Sequence, residues 1–252
     1  MIKHEKNGLA YYSFEIFQPY PRLKHAVWSR RGPRGDFNLA FSGANGEEVA
    51  ANLALASQTL AVPYPAFVGQ AHGAKILDLA QIPAPYAPQS PAETLQGYDA
   101  LVGGVGRSAL VKLADCQGAL LLDPRLDVFA VIHSGWRGSA LNIIGRCVSY
   151  LHKAYGSEPQ SLLAAISPSL GPCCFEFKGW RESLPPELWR YRINERDYFD
   201  FWALSLAQLR EAGVPPARVE IAGVCSRCGA DFFSHRGGDL SRFGLMAGII
   251  DD

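Results

Sequence analysis

An excess of charge of either sign is missing from this 252-residue chain, in which 24 Lys and Arg balance 24 Asp and Glu. That balance gives no electrostatic case for nucleic acid or an anionic membrane as a partner. No unbroken apolar run is long enough to span a bilayer. The opening Met1-Ile-Lys-His-Glu-Lys-Asn7 lacks the apolar core of a signal peptide, so a cytoplasmic location is expected. Repeats and long low-complexity segments are absent as well. With no secretion signal in view, the six cysteines are expected to be thiols rather than three disulfides.

What is present is ordinary for a globular chain: 48% hydrophobic and 19% charged residues. The length is sufficient for a large core, and residues 1–252 read as one domain. Residues 47–60 carry Val49, Leu53, Ala56 and Leu60 at helical spacing behind acids in the first turn. Segments 66–68 and 76–79 are short strand candidates on either side of His72, and the proline-rich stretch 81–91 reads as an ordered surface excursion or lid. Three apolar strands follow at 109–113, 119–122 and 128–132, then a helix over 139–155 with Ile144, Cys147, Val148 and Leu151 on one stripe. A strand at 162–166, a helix at 200–212 and strands at 219–223 and 244–250 complete the alternation. Strand order is not recoverable, but an α/β or α+β sandwich with more than one sheet is expected.

Chemistry concentrates in Gln70-Ala-His-Gly73, Leu113-Ala-Asp-Cys116 and His133-Ser-Gly-Trp-Arg-Gly138. His72, Cys116 and His133 lie beside glycine or at the ends of apolar strands. There they either converge as three ligands of a tetrahedral zinc site with one open corner, or are loop histidines and a core thiol. Spacing alone favours the second reading, because the ligands are dispersed. Asp115, costly to bury without a role, is a candidate to orient a ligand histidine or to serve as a general acid. Gly135 and Gly138 permit a tight turn into a helix N-terminus, where free N–H groups and Arg137 suit an anion; a plain strand-to-helix turn is the alternative. Cys225-Ser-Arg-Cys228 reads as structural: no helix opens on it, no second C-x-x-C exists, and the adjacent Cys173 and Cys174 do not easily chelate one metal. His235 and Arg236 beyond it are candidates for a cleft wall. The Ser29-Arg30-Arg31-Gly32-Pro33-Arg34 cluster is either a solvated loop or an anion-binding arm.

Taken together and in order, these segments resemble the laccase-domain family, once called multicopper polyphenol oxidases and now regarded as zinc-dependent purine nucleoside phosphorylases. The resemblance rests on Ser29-Arg30-Arg31-Gly32 with Asn38-Leu39, on the three motifs around His72, Cys116 and His133, and on Ser167-Pro-Ser-Leu-Gly-Pro-Cys-Cys-Phe-Glu176. Cys225-Ser-Arg-Cys228 and Phe232-Phe-Ser-His-Arg236 complete it. It covers the chain from about residue 25 onward; each motif is weak alone, and six in order are specific. The resemblance implies a single-domain α/β/β/α sandwich of two packed mixed β-sheets flanked by helices, within the α+β class. It implies zinc held by His72, Cys116 and His133, with copper an in vitro substitute, and catalytic roles for Asp115 and Cys116. Arg30, Asn38 and Arg137 become candidates for phosphate or ribose.

The reaction implied is cleavage of adenosine, inosine, guanosine or methylthioadenosine by phosphate, with adenosine deamination as a side activity. Purine nucleoside and phosphate are then the partners, and neither a monomer nor a homodimer is indicated. The chain departs from the family pattern at Leu113, Gly118, His235 and Leu245, positions able to alter specificity. The competing readings are an amidase acting on peptidoglycan precursors, a copper-dependent polyphenol oxidase, and a non-catalytic zinc domain. Six histidines are too few for several copper ions.

Overall fold

Side chains along a strand point alternately to its two faces, and the central strands use both faces for burial. Leu120 and Leu122 enter a layer between two sheets, while Ala119 and Leu121, alternating with them, face helices. The structure is a computed structural model describing residues 1–41, 44–83, 85–193 and 195–251. One sheet runs in the order Ile2–Lys6, Leu9–Ser13, Leu23–Trp28, Phe243–Ile249, Arg107–Leu113, every neighbour antiparallel. The other runs Val219–Ile221, Leu163–Ile166, Gln117–Asp123, Val128–Ser134, Ala100–Gly103, Ile76–Asp78. Its two edge pairs are parallel and its interior pairs antiparallel. The expected four-layer α+β sandwich is therefore present, with one correction: only the six-stranded sheet is mixed.

Between the sheets, Val111, Leu113, Leu245 and Ala247 meet Leu101, Leu120, Phe129 and Val131. On one outer face the helix Gly46–Leu60 lays Val49, Leu53 and Ala56 against Trp28, Leu110 and Met246. On the other, Ile143–Tyr155 and Phe201–Glu211 cover Ala130 and Ile132 with Ile144, Cys147, Val148, Leu151 and Leu209. The Asn45 and Asp200 side chains cap the N-termini of Gly46–Leu60 and Phe201–Glu211. Among the described residues, no helix is long and apolar enough to cross a membrane.

Two local expectations change. The single helix over 139–155 is two, Trp136–Ala140 and Ile143–Tyr155, because Asn142 turns left-handed (φ 54°) and accepts the Gly145 N–H on its own side chain. Segment 66–68 is no strand; Ala66 forms an isolated bridge to Ala109. Of the excursion 81–91, Ala84 lies outside the described residues; its far end, Pro91, lines the cleft described below.

His25 links the first sheet to pH. Its Nε2 accepts the Phe14 N–H at 2.8 Å, and its ring stacks on Phe14. Burial pushes its pKa down to about 4, against about 6.5 in an unfolded chain. The unfolded state therefore takes the proton first. Stability is complete above pH 6.5 and is lost as pH falls toward 4, by ~3 kcal/mol. Urea unfolding of wild type and His25→Gln across that window should show the difference: the variant, though less stable at pH 7, should have the shallower pH slope.

Candidate metal centre and cleft

Residues 114–116 carry the chain from the strand Arg107–Leu113 of one sheet to Gln117–Asp123 of the other. Asp115 makes that passage with left-handed backbone (φ 80°), and Cys116 follows at the sheet end. On the adjacent strand His133 pairs with Gly118. His72 arrives from a turn ahead of Ile76–Asp78, also left-handed (φ 58°). The ligand atoms of His72, Cys116 and His133 all lie within 4.8 Å of one another, and the two imidazole rings meet edge to face at 4.8 Å. The site is thus assembled at one end of the six-stranded sheet, from the ends or leading turns of three of its strands.

Asp99, one residue ahead of Ala100–Gly103, organises this centre, and sequence reasoning passed over it. Its carboxylate takes His133 Nδ1 at 2.8 Å and the backbone N–H groups of Ala71, His72 and Gly73 at 3.3, 2.9 and 2.7 Å. Its carbonyl accepts the His133 N–H at 2.7 Å. Three donors on one buried carboxylate hold the left-handed His72 turn, a conformation unfavourable on its own. They also leave Nε2 of His133 for a ligand, the usual arrangement around a metal-bound histidine. Gln70 fixes the same turn from behind, exchanging two hydrogen bonds with the Lys112 backbone at 2.9 and 2.8 Å. An acid directly before a buried strand was the available signal, and it was the same signal read at Asp115.

Asp115 has a different task. Its carboxylate accepts the Ser226 hydroxyl at 2.7 Å and the Arg236 N–H at 2.6 Å, and its carbonyl accepts the Leu170 N–H. It orients no ligand histidine; it fastens the Cys116 turn to two later loops.

Burial alone would raise the Cys116 thiol, but the adjoining His133 and His72 outweigh it and bring the thiol down to about 6. Burial likewise opposes charge on His133, and Cys116 and Asp99 raise it nonetheless. Against burial, His133 and the Gly73 and His72 N–H groups lower Asp99. A thiolate at Cys116 with the rings of His72 and His133 offers the ligand types a borderline metal takes, and binding at His133 would release the proton that Cys116 and Asp99 favour there. Gly135 guards the space: a Cβ there would stand 2.9 Å from His72 and 3.1 Å from Cys116 Sγ. Gly135→Ala should therefore push at least one ligand aside and lower metal affinity by at least ~10-fold, read by competition with a chromophoric chelator.

The triad opens onto a cleft of about 630 Å³. Phe41 stacks on Phe67 along it, as do Phe175 and Phe201 (centroids 4.4 Å apart), and Trp136 and Leu170 add apolar surface. Lys112, His235, Arg236 and Arg242 bring positive or ionisable groups to the same space. Lys112 is pushed down to about 8 by burial. His235 and Arg236 thus line the cleft, as the sequence suggested.

Arg30, Asn38 and Arg137 do not line it. Arg30 is committed to Asp239 at 3.1 Å and lies over the Phe233 ring. Asn38 is buried, bracing Ala40 and the Arg242 N–H. Arg137 turns outward over Trp136. The helix that Gly135 opens has only five residues, and the cationic groups at the cleft come from 112 and 235–242.

A second thiol cluster is also present. Cys173, Cys174, Cys225 and Cys228 bring their sulfur atoms within 4.8 Å of one another. Sequence reasoning separated these pairs because one is contiguous. The tight turn from Gly171 places both of its thiols against the C-x-x-C turn.

A four-layer α+β sandwich with a His–Cys–His triad at the sheet ends defines a recognisable class. Residues 24–251 match the family model for multi-copper polyphenol oxidoreductase laccase, and the chain belongs to that family. A purine nucleoside phosphorylase of Bacteroides thetaiotaomicron is 27% identical over 99% of this chain and 96% of its own length. The purine nucleoside phosphorylase YlmD of Geobacillus stearothermophilus is 30% identical over 90% of this chain and 87% of its own. Its crystal structure superposes with a TM-score of 0.84, covering 98% of each chain at 25% identity. Adenosine deaminase RL5, of an unknown prokaryotic organism, is 32% identical over 61% of this chain and 60% of its own.

Proposed function

We propose that this chain is a zinc-dependent purine nucleoside phosphorylase whose centre is His72, Cys116 and His133. The observation that carries the reading is one cleft joining a thiolate–imidazole donor set to stacked aromatic walls and a group of cations. When bound, a divalent ion at such a donor set supplies Lewis-acid polarisation of an oxygen. The resemblance to phosphorylases of nearly the same length supports the reaction class.

The chain's own residues then divide the work. Phe175 with Phe201, and Phe41 with Phe67, offer faces on which a purine stacks. Arg236 and Arg242 supply charge for phosphate, roles the sequence had assigned to Arg30 and Arg137. Phosphate oxygen bonds to C1′ of the ribose as the bond from C1′ to the purine nitrogen breaks. The products are free base and ribose 1-phosphate. His235, in the cleft wall, is placed to protonate the departing purine. Asp115 acts by position, holding the Cys116 turn to Ser226 and Arg236.

Inosine incubated with the metal-loaded protein should give hypoxanthine and ribose 1-phosphate only when phosphate is present. Hypoxanthine released at the same rate without phosphate would contradict the reading. Adenosine in the same assay separates two outcomes, adenine from phosphorolysis and inosine from deamination.

A further inference from the structure

The function above makes no use of the four-thiol cluster. Cys173 Sγ and Cys174 Sγ lie 3.6 and 3.4 Å from Cys228 Sγ. Four sulfurs placed 2.3 Å from one zinc ion stand about 3.8 Å apart, so the cluster already has the dimensions of a tetrathiolate site. Backbone N–H groups of Gly171, Arg227 and Cys228 are directed at the Cys225 sulfur, Gly171 at 3.3 Å. Donors turned onto a sulfur in this way stabilise it as thiolate, the form in which cysteine binds metal.

The backbone frame is specific. Ser169 and Cys225 bridge in parallel, with Ser226 N–H on the Ser169 carbonyl and Ser169 N–H on the Val224 carbonyl. From that frame two short turns project, Cys173–Cys174 on one side and Cys225–Cys228 on the other. Gly171 lets them approach, since a Cβ there would stand 3.0 Å from the Cys225 Cβ and 2.8 Å from Trp202. Both turns border the cleft: Phe175, next to Cys174, lines its wall, and Ser226, next to Cys225, holds Asp115.

We infer that Cys173, Cys174, Cys225 and Cys228 form a second metal site, a closed structural zinc centre that clamps the Phe175 and Asp115 side of the cleft. Four protein ligands fill a tetrahedron and leave no corner for substrate. This site is separate from the His72–Cys116–His133 triad, and its occupancy does not depend on what the cleft turns over.

Metal analysis by mass spectrometry, on tag-free protein purified with reductant, tests it. Cys116→Ala should still hold one zinc per chain, and adding Cys173→Ser and Cys228→Ser should reduce that to none. Cobalt loaded into Cys116→Ala should give the intense thiolate-to-cobalt charge transfer and visible bands of a tetrahedral tetrathiolate site. This measurement stands even if the triple variant fails to fold. Cys116→Ala free of stoichiometric metal, a cobalt spectrum without four-thiolate character, or a denatured mass short by the hydrogens of two disulfides would overturn the assignment. Wild-type protein that holds this zinc yet releases no hypoxanthine from inosine and phosphate would count against the proposed function instead.

Discussion

Cys116→Ala is expected to leave a folded protein that has lost the cleft metal and at least ~10³-fold of its activity. The thiolate is the only anionic ligand of the triad. Without it the two histidines remain, and His133 keeps its hydrogen bond to Asp99. Even a residue that only supports a ligand costs 10–100-fold in metal affinity when lost, so removal of a ligand itself should exceed that. The fold should survive, because Cys116 sits in a turn at the sheet end and none of the hydrophobic layers depends on it. Thermal unfolding, metal content and nucleoside cleavage on one preparation check all three parts. A Cys116→Ala protein with wild-type rate would dismiss the triad as the reacting centre.

Asp99→Ala should have the larger effect on stability. The change strands the buried His133 Nδ1 and takes the acceptor from the part-buried N–H groups of Ala71, His72 and Gly73. Breaking a buried pair in this way costs ~3–5 kcal/mol, and the left-handed His72 turn loses its anchor. A drop of ~10 °C in melting temperature is expected for a chain of this size.

Asp99→Asn separates stability from chemistry. An amide oxygen keeps some acceptor capacity for the turn, while its NH₂ group facing Nδ1 favours the tautomer protonated at Nε2. That tautomer leaves Nε2 no lone pair for a metal. Asp99→Asn should therefore retain most of the stability lost in Asp99→Ala, yet bind metal 10–100-fold more weakly than wild type. Equal metal affinity in Asp99→Asn and wild type would show that Asp99 does not set the His133 tautomer.

The parts of this architecture visible in the sequence are those with a strong local period. Apolar runs such as Val128–Ser134 and the helical stripe of Gly46–Leu60 are legible because burial dictates residue type at each position. The first strands, Ile2–Lys6 and Leu9–Ser13, are half-exposed and polar, and give no such signal. The break at Asn142 depends on one side chain capping its own helix, which periodicity does not report.

At the site, the three ligand candidates are legible because histidine and cysteine beside glycine are unusual at strand ends. Their convergence is not, since it depends on which strands are neighbours; the expectation came from the ordered run of motifs. Asp99 was missed because its partners are mostly backbone N–H groups of a turn 26–28 residues earlier. The position of Arg30 away from the cleft is hidden for a related reason. A basic cluster such as 30–34 does not reveal that Asp239 neutralises Arg30 from the far end of the chain. The four-thiol cluster is hidden because no second C-x-x-C exists and contiguous thiols do not easily chelate one metal, although here a turn brings them to one point with the C-x-x-C.

The most direct test is to strip the protein of metal, return zinc in steps, and follow phosphate-dependent cleavage of inosine in wild type and Cys116→Ala. Cleavage should be absent in the stripped wild type, rise with added zinc to a plateau, and stay absent in Cys116→Ala at every zinc level. Full cleavage by stripped protein, or recovery in Cys116→Ala, would contradict a metal-dependent centre at His72, Cys116 and His133.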